Sequence, residues 1–245
     1  MAKRQQRNRA QPLASNGYCG MDQQPTHRHV DLAQASTYHT HVPINFKPML
    51  SVQELTFERY FEPVFRSVSF SLSAGEVLWV TGANGSGKTT LLRIIAGTLS
   101  PSHGEVRCTA RNRAYLGHQL AVKDDLSVSE NIDFMRRFCG SNCDRTAELV
   151  ARAGLSRVAT QAARTLSAGQ RKRCALARLF VQDAELWLLD EPYANLDSQG
   201  ESMLDDMLRQ HIEGGGSCVL ATHGRPQPGG LPVVACELVS GADAS

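Results

Sequence analysis

The stretch GEVLWVTGANGSGKTTLLRIIAGTL, residues 75–99, decides how this 245-residue chain folds. Its apolar first part is typical of a buried strand, and its last part has the spacing of a helix. Between them lies GANGSGKTT, residues 82–90, which fits the pattern G-x-x-x-x-G-K-[ST]. In the order strand, loop, helix, this pattern predicts a loop whose backbone N–H groups hold phosphates.

Two side chains of this loop have predicted roles in binding a nucleotide. Lys88 is expected to reach the β- and γ-phosphates, and the Thr89 hydroxyl is expected to ligate Mg²⁺. A chance glycine-rich turn is the alternative, but it does not account for the strand and helix on either side. The predicted ATP-binding residues of the loop are Gly82, Ala83, Asn84, Gly85, Ser86, Gly87, Lys88, Thr89 and Thr90.

Acidic residues follow a second apolar strand, ELWLLDEP, residues 185–192. Asp190 ends this strand and is predicted to hold Mg²⁺, and Glu191 is placed to polarise an attacking water. His223 follows another strand, SCVLAT, and is expected near the γ-phosphate. The alternatives are a solvated strand end for the two acids and a structural role for the histidine. Together with the phosphate loop, these residues favour catalysis by Lys88, Glu191 and His223.

Strands that alternate with helices predict an α/β fold of the P-loop NTPase type with a mainly parallel sheet. Two stretches after Met49, MLSVQELTFER and VFRSVSFSL, alternate apolar and polar residues and predict a small antiparallel β addition. The region of about 120–165 has helical patterns without a strand, so a helical subdomain is expected there. Residues 49–245 are thus predicted to form one ATPase domain.

The N-terminal residues 1–48 have a different composition. They are rich in Gln, Asn, Ser, His and Arg, show no apolar period, and are predicted to be a disordered basic extension. The remainder carries 20 basic and 22 acidic residues from residue 50 onward, so its charge gives no argument for binding nucleic acid. The seven scattered cysteines favour reduced thiols.

These motifs together resemble the ATP-binding subunit of an ABC transporter, over about residues 50–240. YLGHQ supplies Gln119, which the resemblance implies contacts the metal and faces a membrane subunit. The resemblance also identifies Asp197, in NLD, as the D-loop residue and His223 as the switch histidine. LSAGQ resembles the family signature; its residues are Leu166, Ser167, Ala168, Gly169 and Gln170.

The resemblance implies that the signature acts in trans. In the family, two ATPase domains dimerise head to tail, and the signature of one covers the γ-phosphate of the ATP that the other holds. Because this chain has one phosphate loop and one signature, the resemblance implies a homodimer.

One position departs from the family pattern, and a second has two interpretations. Ala168 replaces a glycine, so the phosphate contact survives if this position does not need a positive φ. Tyr60 lies where the family has an aromatic residue that stacks on adenine, with Phe61 beside it. Packing of both rings under the sheet is the alternative.

Several stretches resemble one branch of the family, the ATP-binding subunits of the cytochrome c maturation transporter, or haem exporter. They are LGHQLAVKDDLSVSENI, LSAGQRKRCALARL and LWLLDEPYANLD. The resemblance implies an integral membrane permease subunit, other cytochrome c maturation components, and a peripheral position on the cytoplasmic face of the bacterial inner membrane. Two alternatives remain: a transporter ATPase for another cargo, and a soluble ABC ATPase that acts on DNA or ribosomes.

Overall fold

The computed structural model describes residues 28–29, 47–140, 144–224 and 226–241. Its centre is a parallel six-stranded sheet in the order β1-β9-β4-β8-β7-β6. The strands of this sheet are β1 (Arg28–His29), β4 (Val77–Thr81), β6 (Arg113–Leu116), β7 (Leu186–Asp190), β8 (Ser217–Ala221) and β9 (Val233–Glu237). The predicted mainly parallel sheet is therefore confirmed.

A second, antiparallel sheet of three strands has the order β3-β2-β5. Its strands are β2 (Leu50–Arg59), β3 (Glu62–Leu72) and β5 (His103–Cys108). The predicted antiparallel addition is thus present, and β5 extends it by a strand that the alternating stretches did not include.

Five α-helices lie in the described part of the chain. They are α1 (Lys88–Ile95), α2 (Val128–Phe138), α3 (Thr146–Arg152), α4 (Ala168–Ala177) and α5 (Ser198–Glu213). Within residues 120–165, the described residues form α2, α3 and two short 3₁₀ segments but no strand, as the helical patterns predicted. None of the helices in the described ranges is long and apolar enough to cross a membrane.

The central sheet has an apolar core on each face, because neighbouring residues of a strand point to opposite sides. On β7, Trp187 and Leu189 face one core with α4 and α5, whereas Leu186 and Leu188 face the other with α1 and the antiparallel sheet. All five residues of β7 are buried, including Asp190 at its end. The sheet therefore brings a charged residue to its carboxyl edge on a fully buried strand.

Most of the predicted N-terminal extension, residues 1–27 and 30–46, lies outside the described residues. Arg28–His29 form a two-residue strand that pairs in parallel with Val234 and Ala235 of β9. That pairing differs from the prediction of disorder over all of residues 1–48.

Candidate functional site

The loop between β4 and α1 needs glycine at both ends of its motif. Gly82 has a φ of +145°, and a Cβ there would lie 2.5 Å from the carbonyl oxygen of Leu238. Gly87 has a φ of +95° and precedes α1, and a Cβ there would lie 2.7 Å from the Phe65 ring. A side chain at either position would therefore clash with its neighbours. The loop leads into the N-terminus of α1, where anions bind favourably.

Lys88 folds back over this loop. Its Nζ donates hydrogen bonds to the carbonyl oxygens of Gly82, at 2.8 Å, and Ala83, at 3.0 Å. The residue is only 8% exposed, so these carbonyls satisfy an ammonium group that water hardly reaches. The ammonium group stands at the loop in the position from which it can meet phosphate oxygens.

Asp190 lies opposite the loop, at the end of β7, and is 1% exposed. The Thr89 hydroxyl donates a 2.7 Å hydrogen bond to its Oδ2. His118 Nε2 lies 3.5 Å from the same oxygen. The structure thus brings together the hydroxyl and the carboxylate that the sequence predicted as metal ligands.

Glu191 and His223 complete one wall of the site. His223 Nδ1 lies 3.4 Å from the Gly82 carbonyl oxygen. Both residues line a cavity of about 540 Å³ at the carboxyl edge of the sheet. The cavity is lined by Arg59, Val64, Asn84, Gly85, Gly87, Lys88, Thr89, Thr90, His118, Asp190, Glu191, Ala194 and His223.

Some predicted residues do not line this cavity. Gly82 and Ala83 take part through their carbonyls, while Ser86 is buried at 1% exposure. Gln119 is exposed and follows His118, which does line the cavity. Tyr60 is 91% exposed at the turn between β2 and β3.

The alternative in which Tyr60 and Phe61 pack under the sheet is wrong. Phe61 is 96% exposed, and both residues have a positive φ, 54° for Tyr60 and 68° for Phe61. A two-residue hairpin turn of type I′ needs this backbone conformation at both central positions. The turn therefore presents both rings to solvent beyond Arg59, which itself lines the cavity.

Ser167 and Ala168 of the signature begin α4, and none of residues 166–170 lines the cavity of their own chain. Ser167 caps this helix: its hydroxyl accepts from the Gln170 N–H at 3.2 Å, and the Gln170 side chain accepts from the Ser167 N–H at 3.0 Å. Ala168 is the first residue of α4 and is not among the residues with positive φ. Alanine is therefore compatible with this backbone, and its N–H stays available at the helix N-terminus.

Two further signature residues contact the body of the domain. Leu166 packs against the apolar core, and a Cβ on Gly169 would lie 2.9 Å from the Asn195 carbonyl oxygen. Asp197, the predicted D-loop residue, caps α5 by accepting from the Gly200 N–H at 2.9 Å. The signature and D-loop segments thus lie against each other in one chain.

Sequence reasoning did not single out two polar residues that line the site, His118 and Arg59, or the apolar Val64 and Ala194. His118 had a signal, because it is polar and follows the end of β6, and the carboxyl ends of parallel strands meet at one edge. Arg59 had none, since only the folded hairpin brings the end of β2 to the phosphate loop.

Comparison with known proteins identifies the family. The model of the ABC transporter family matches residues 65–194. The cytochrome c biogenesis ATP-binding export protein CcmA of Xanthomonas oryzae pv. oryzae is 45% identical over 190 residues, which is 72% of this chain and 87% of that protein. The protein of the same description from Xylella fastidiosa (strain Temecula1 / ATCC 700964) is 40% identical, covering 80% of this chain and 94% of its own.

Solved structures agree with the fold. The ATP-binding subunit of an ABC transporter superposes with a TM-score of 0.65 at 22% identity, covering 72% of this chain and 80% of the other. The dimeric post-hydrolysis ATP-binding cassette MJ0796, bound to ADP and Pi, superposes with a TM-score of 0.63 at 25% identity, covering 71% and 88%. Fold, motifs and relatives agree: the chain belongs to the ABC transporter family and, within it, to the ATP-binding export proteins of cytochrome c biogenesis.

Proposed function

We propose that this chain hydrolyses ATP, with Mg²⁺, as the energy-coupling subunit of a membrane complex for c-type cytochrome biogenesis. The observation that carries the proposal is the single cavity that holds Lys88, Thr89, Asp190, Glu191 and His223 at one edge of the sheet. A cavity with one ammonium group, two carboxylates and a helix N-terminus fits a nucleoside triphosphate and a divalent cation.

The residues present fit Mg²⁺. Thr89 and Asp190 offer a hydroxyl and a carboxylate, with their oxygens 2.7 Å apart. Oxygen ligands of this kind are those that Mg²⁺ prefers, with phosphate oxygens and waters completing the shell. We place the Gln119 side chain as a further ligand on the strength of the family motif. When bound, the ion supplies positive charge that offsets the charge of the β- and γ-phosphates.

The side chains of the cavity have distinct proposed tasks. Lys88 exchanges its bonds to the Gly82 and Ala83 carbonyls for bonds to phosphate oxygens. Glu191 accepts a proton from the water that attacks the γ-phosphorus, and ADP leaves with the electrons of the broken P–O bond. His223 orients the γ-phosphate, and Tyr60 stacks on the adenine from the hairpin turn.

The position of the signature supports a homodimer. Residues 166–170 do not line the cavity of their own chain, and we propose that they contact the nucleotide held by another copy. The exposed N-terminus of α4 adds a positive dipole end for the γ-phosphate. The dimer reported for the related cassette MJ0796 is consistent with this arrangement.

An exposed aromatic pair on α2 supports a membrane partner. Phe134 is 45% exposed and Phe138 77% exposed, and their rings stack with centroids 6.3 Å apart. Two adjacent apolar rings that face solvent form an exposed apolar patch, and large patches of this kind mark interaction sites. We propose that an integral permease subunit docks here, where the Lys123 ammonium group lies 4.7 Å from the centre of the Phe134 ring. The complex, with other cytochrome c maturation components, then holds this chain peripherally on the cytoplasmic face of the bacterial inner membrane.

Two variants test the ATPase, and a cellular assay tests the pathway. Lys88→Ala and Glu191→Gln should lower ATP turnover at least about a hundredfold, since each removes a group that acts in the transition state. Glu213→Gln, at the exposed end of α5, is the matched control and should keep the wild-type rate. Wild-type turnover in either site variant would refute the assigned roles.

The pathway is tested by a haem-stained gel of membrane and periplasmic fractions. A strain that carries only Glu191→Gln should lose covalent haem from c-type cytochromes while its b-type cytochromes stay intact. Normal c-type haem would leave the ATPase assignment standing and point to another cargo.

A further inference from the structure

A lysine of the signature helix is bonded to the backbone of the proposed catalytic glutamate. Lys172 lies on α4, in the turn after Gly169, and is 5% exposed. Its Nζ donates a 3.0 Å hydrogen bond to the carbonyl oxygen of Glu191. Burial lowers the pKa of Lys172, and the nearby charges of Asp190 and Glu191 raise it in part. A buried ammonium group at this point needs such a partner, because leaving it without one is costly.

The bonded carbonyl belongs to a residue with an unusual backbone. Glu191 has a φ of +45°, in the left-handed region that residues with a Cβ disfavour. Its N–H donates to the Ala221 carbonyl at 2.9 Å, and its own carbonyl also accepts from the Ala194 N–H at 3.2 Å. The peptide groups on both sides of Glu191 are therefore fixed, one by β8 and the other by Lys172 and a tight turn.

The same helix contacts this segment a second time. Gly169 lies so close to Asn195 that a Cβ would come within 2.9 Å of its carbonyl oxygen. A helix that presents the signature at its N-terminus thus runs along residues 191–195. If the N-terminus of α4 moved, Lys172, which lies one turn along the helix, would move with it and shift the Glu191 carbonyl.

We propose that Lys172 is a positioning residue for ATP hydrolysis, whose ammonium group holds the Glu191 backbone so that the carboxylate points into the nucleotide cavity. The proposal rests on the assignment of Glu191 as the base. The hydrogen bond from Lys172 links the signature helix to the catalytic glutamate of the same chain. Contact between the signature and the nucleotide of the other copy is therefore expected to affect the orientation of Glu191.

The test compares Lys172→Met, which keeps the apolar stem but loses the ammonium group, with Lys172→Arg, which keeps a cationic donor. Steady-state ATPase rates of the full chain give kcat and KM, and titration with ATP gives Kd. We expect Lys172→Met to lower kcat at least about tenfold with KM and Kd within about twofold, and Lys172→Arg to keep kcat within about threefold. Lys47→Met, the same substitution at an exposed lysine, should match the wild type.

A double variant separates positioning from general damage. If Lys172 acts through Glu191, Lys172→Met should not lower the residual single-turnover rate of Glu191→Gln any further. An additive loss in the double variant, or a fall in ATP affinity that matches the fall in rate, would overturn the proposal. If Lys172→Met does not fold, Lys172→Gln replaces it. The amide nitrogen of glutamine is one atom closer to the backbone than the lysine Nζ, so it should not reach the Glu191 carbonyl, and the same loss of kcat is expected.

Different results would overturn the catalytic role of Glu191 and the positioning role of Lys172. Wild-type turnover in Glu191→Gln would overturn the assignment of the base and the positioning role with it. An inactive Glu191→Gln beside a Lys172→Met variant with wild-type kcat would overturn the positioning role alone.

Discussion

The Thr89 hydroxyl donates a 2.7 Å hydrogen bond to Oδ2 of Asp190, across 101 residues of sequence. Asp190 is 1% exposed, and Nε2 of the His118 imidazole lies 3.5 Å from the same Oδ2. The bond therefore joins the two halves of the site before any nucleotide binds.

Replacing Thr89 by valine should harm both stability and activity. Valine keeps the shape but removes the donor, and a buried carboxylate that loses a partner costs about 1–3 kcal/mol. We expect the free energy of unfolding, measured in urea, to fall by that amount and kcat to fall at least about tenfold because a metal ligand is lost. Thr89→Ser keeps the hydroxyl and should restore both. Equal stability of Thr89→Val and wild type would contradict the importance of this bond.

The proposed trans action of the signature predicts complementation between two inactive variants. Lys88→Ala removes the phosphate contact, and Ala168→Asp places a negative charge where the γ-phosphate of the other copy would lie. An acidic residue is well tolerated in the first turn of a helix, so Ala168→Asp should fold. Each variant alone should be inactive, while an equal mixture should recover up to about a quarter of the wild-type rate, since half the dimers have one intact site.

The control for this mixture is Ala168→Gly, which keeps the N–H without a charge and should be active. A mixture that stays as inactive as its two components would mean that the signature acts on the nucleotide of its own chain.

The hairpin turn offers a matched pair for the adenine contact. Tyr60 and Phe61 are adjacent and both more than 90% exposed at 91% and 96%, so neither supports the core. Loss of stacking on a base costs about 1–3 kcal/mol. We expect Tyr60→Ala to raise the Kd for ATP at least about fivefold, whereas Phe61→Ala and Tyr60→Phe should leave it near the wild-type value. Fluorescence titration with a labelled ATP measures this, and a larger effect at Phe61 would assign the stacking to that ring.

A half-buried histidine predicts how stability depends on pH. His211 stacks on Trp187 with ring centroids 3.9 Å apart, and burial, its largest influence, lowers its pKa, although its hydrogen bond with the Ser217 carbonyl raises it. Below the ordinary histidine pKa of about 6.5, the unfolded chain therefore binds a proton that the folded chain does not. Stability should fall as the pH falls through this range, by up to about 1.4 kcal/mol per pH unit for one proton.

Urea unfolding at pH 8 and between pH 6.5 and pH 5 measures this dependence. His211→Gln removes the group that titrates and should give a flatter curve over that range. The same slope in wild type and variant would show that other groups cause the loss.

The sequence alone predicted the strands that carry motifs and the residues that follow them. β4 and β7 are short apolar runs that end in chemically specific residues, so pattern and motif agreed. β1, β5 and β9 went unpredicted. β5 is mostly exposed and polar, and β9 is a short run after a loop of Gly and Pro, so each depends on pairing with a distant strand.

The candidate site was predictable where a motif names the residue and not where packing brings it in. Lys88, Thr89, Asp190 and Glu191 follow from spacing. The contact of Lys172 with Glu191 requires α4 to pack beside the end of β7, and helical periodicity alone cannot identify that neighbour. At Ala168 the motif names a residue that the structure does not require, because the backbone there does not need glycine.

The division of β7 between two cores has a consequence for how this protein can evolve. Its residues point in turn to the two sides of the sheet, and the strand ends at Asp190. Deleting or inserting one residue in this strand would exchange the side chains on one side of the change between the two cores, or displace the carboxylate from Thr89. Selection for folding therefore also preserves the place of the charge, and changes of length are expected to accumulate in loops, while the strand diverges only by substitution.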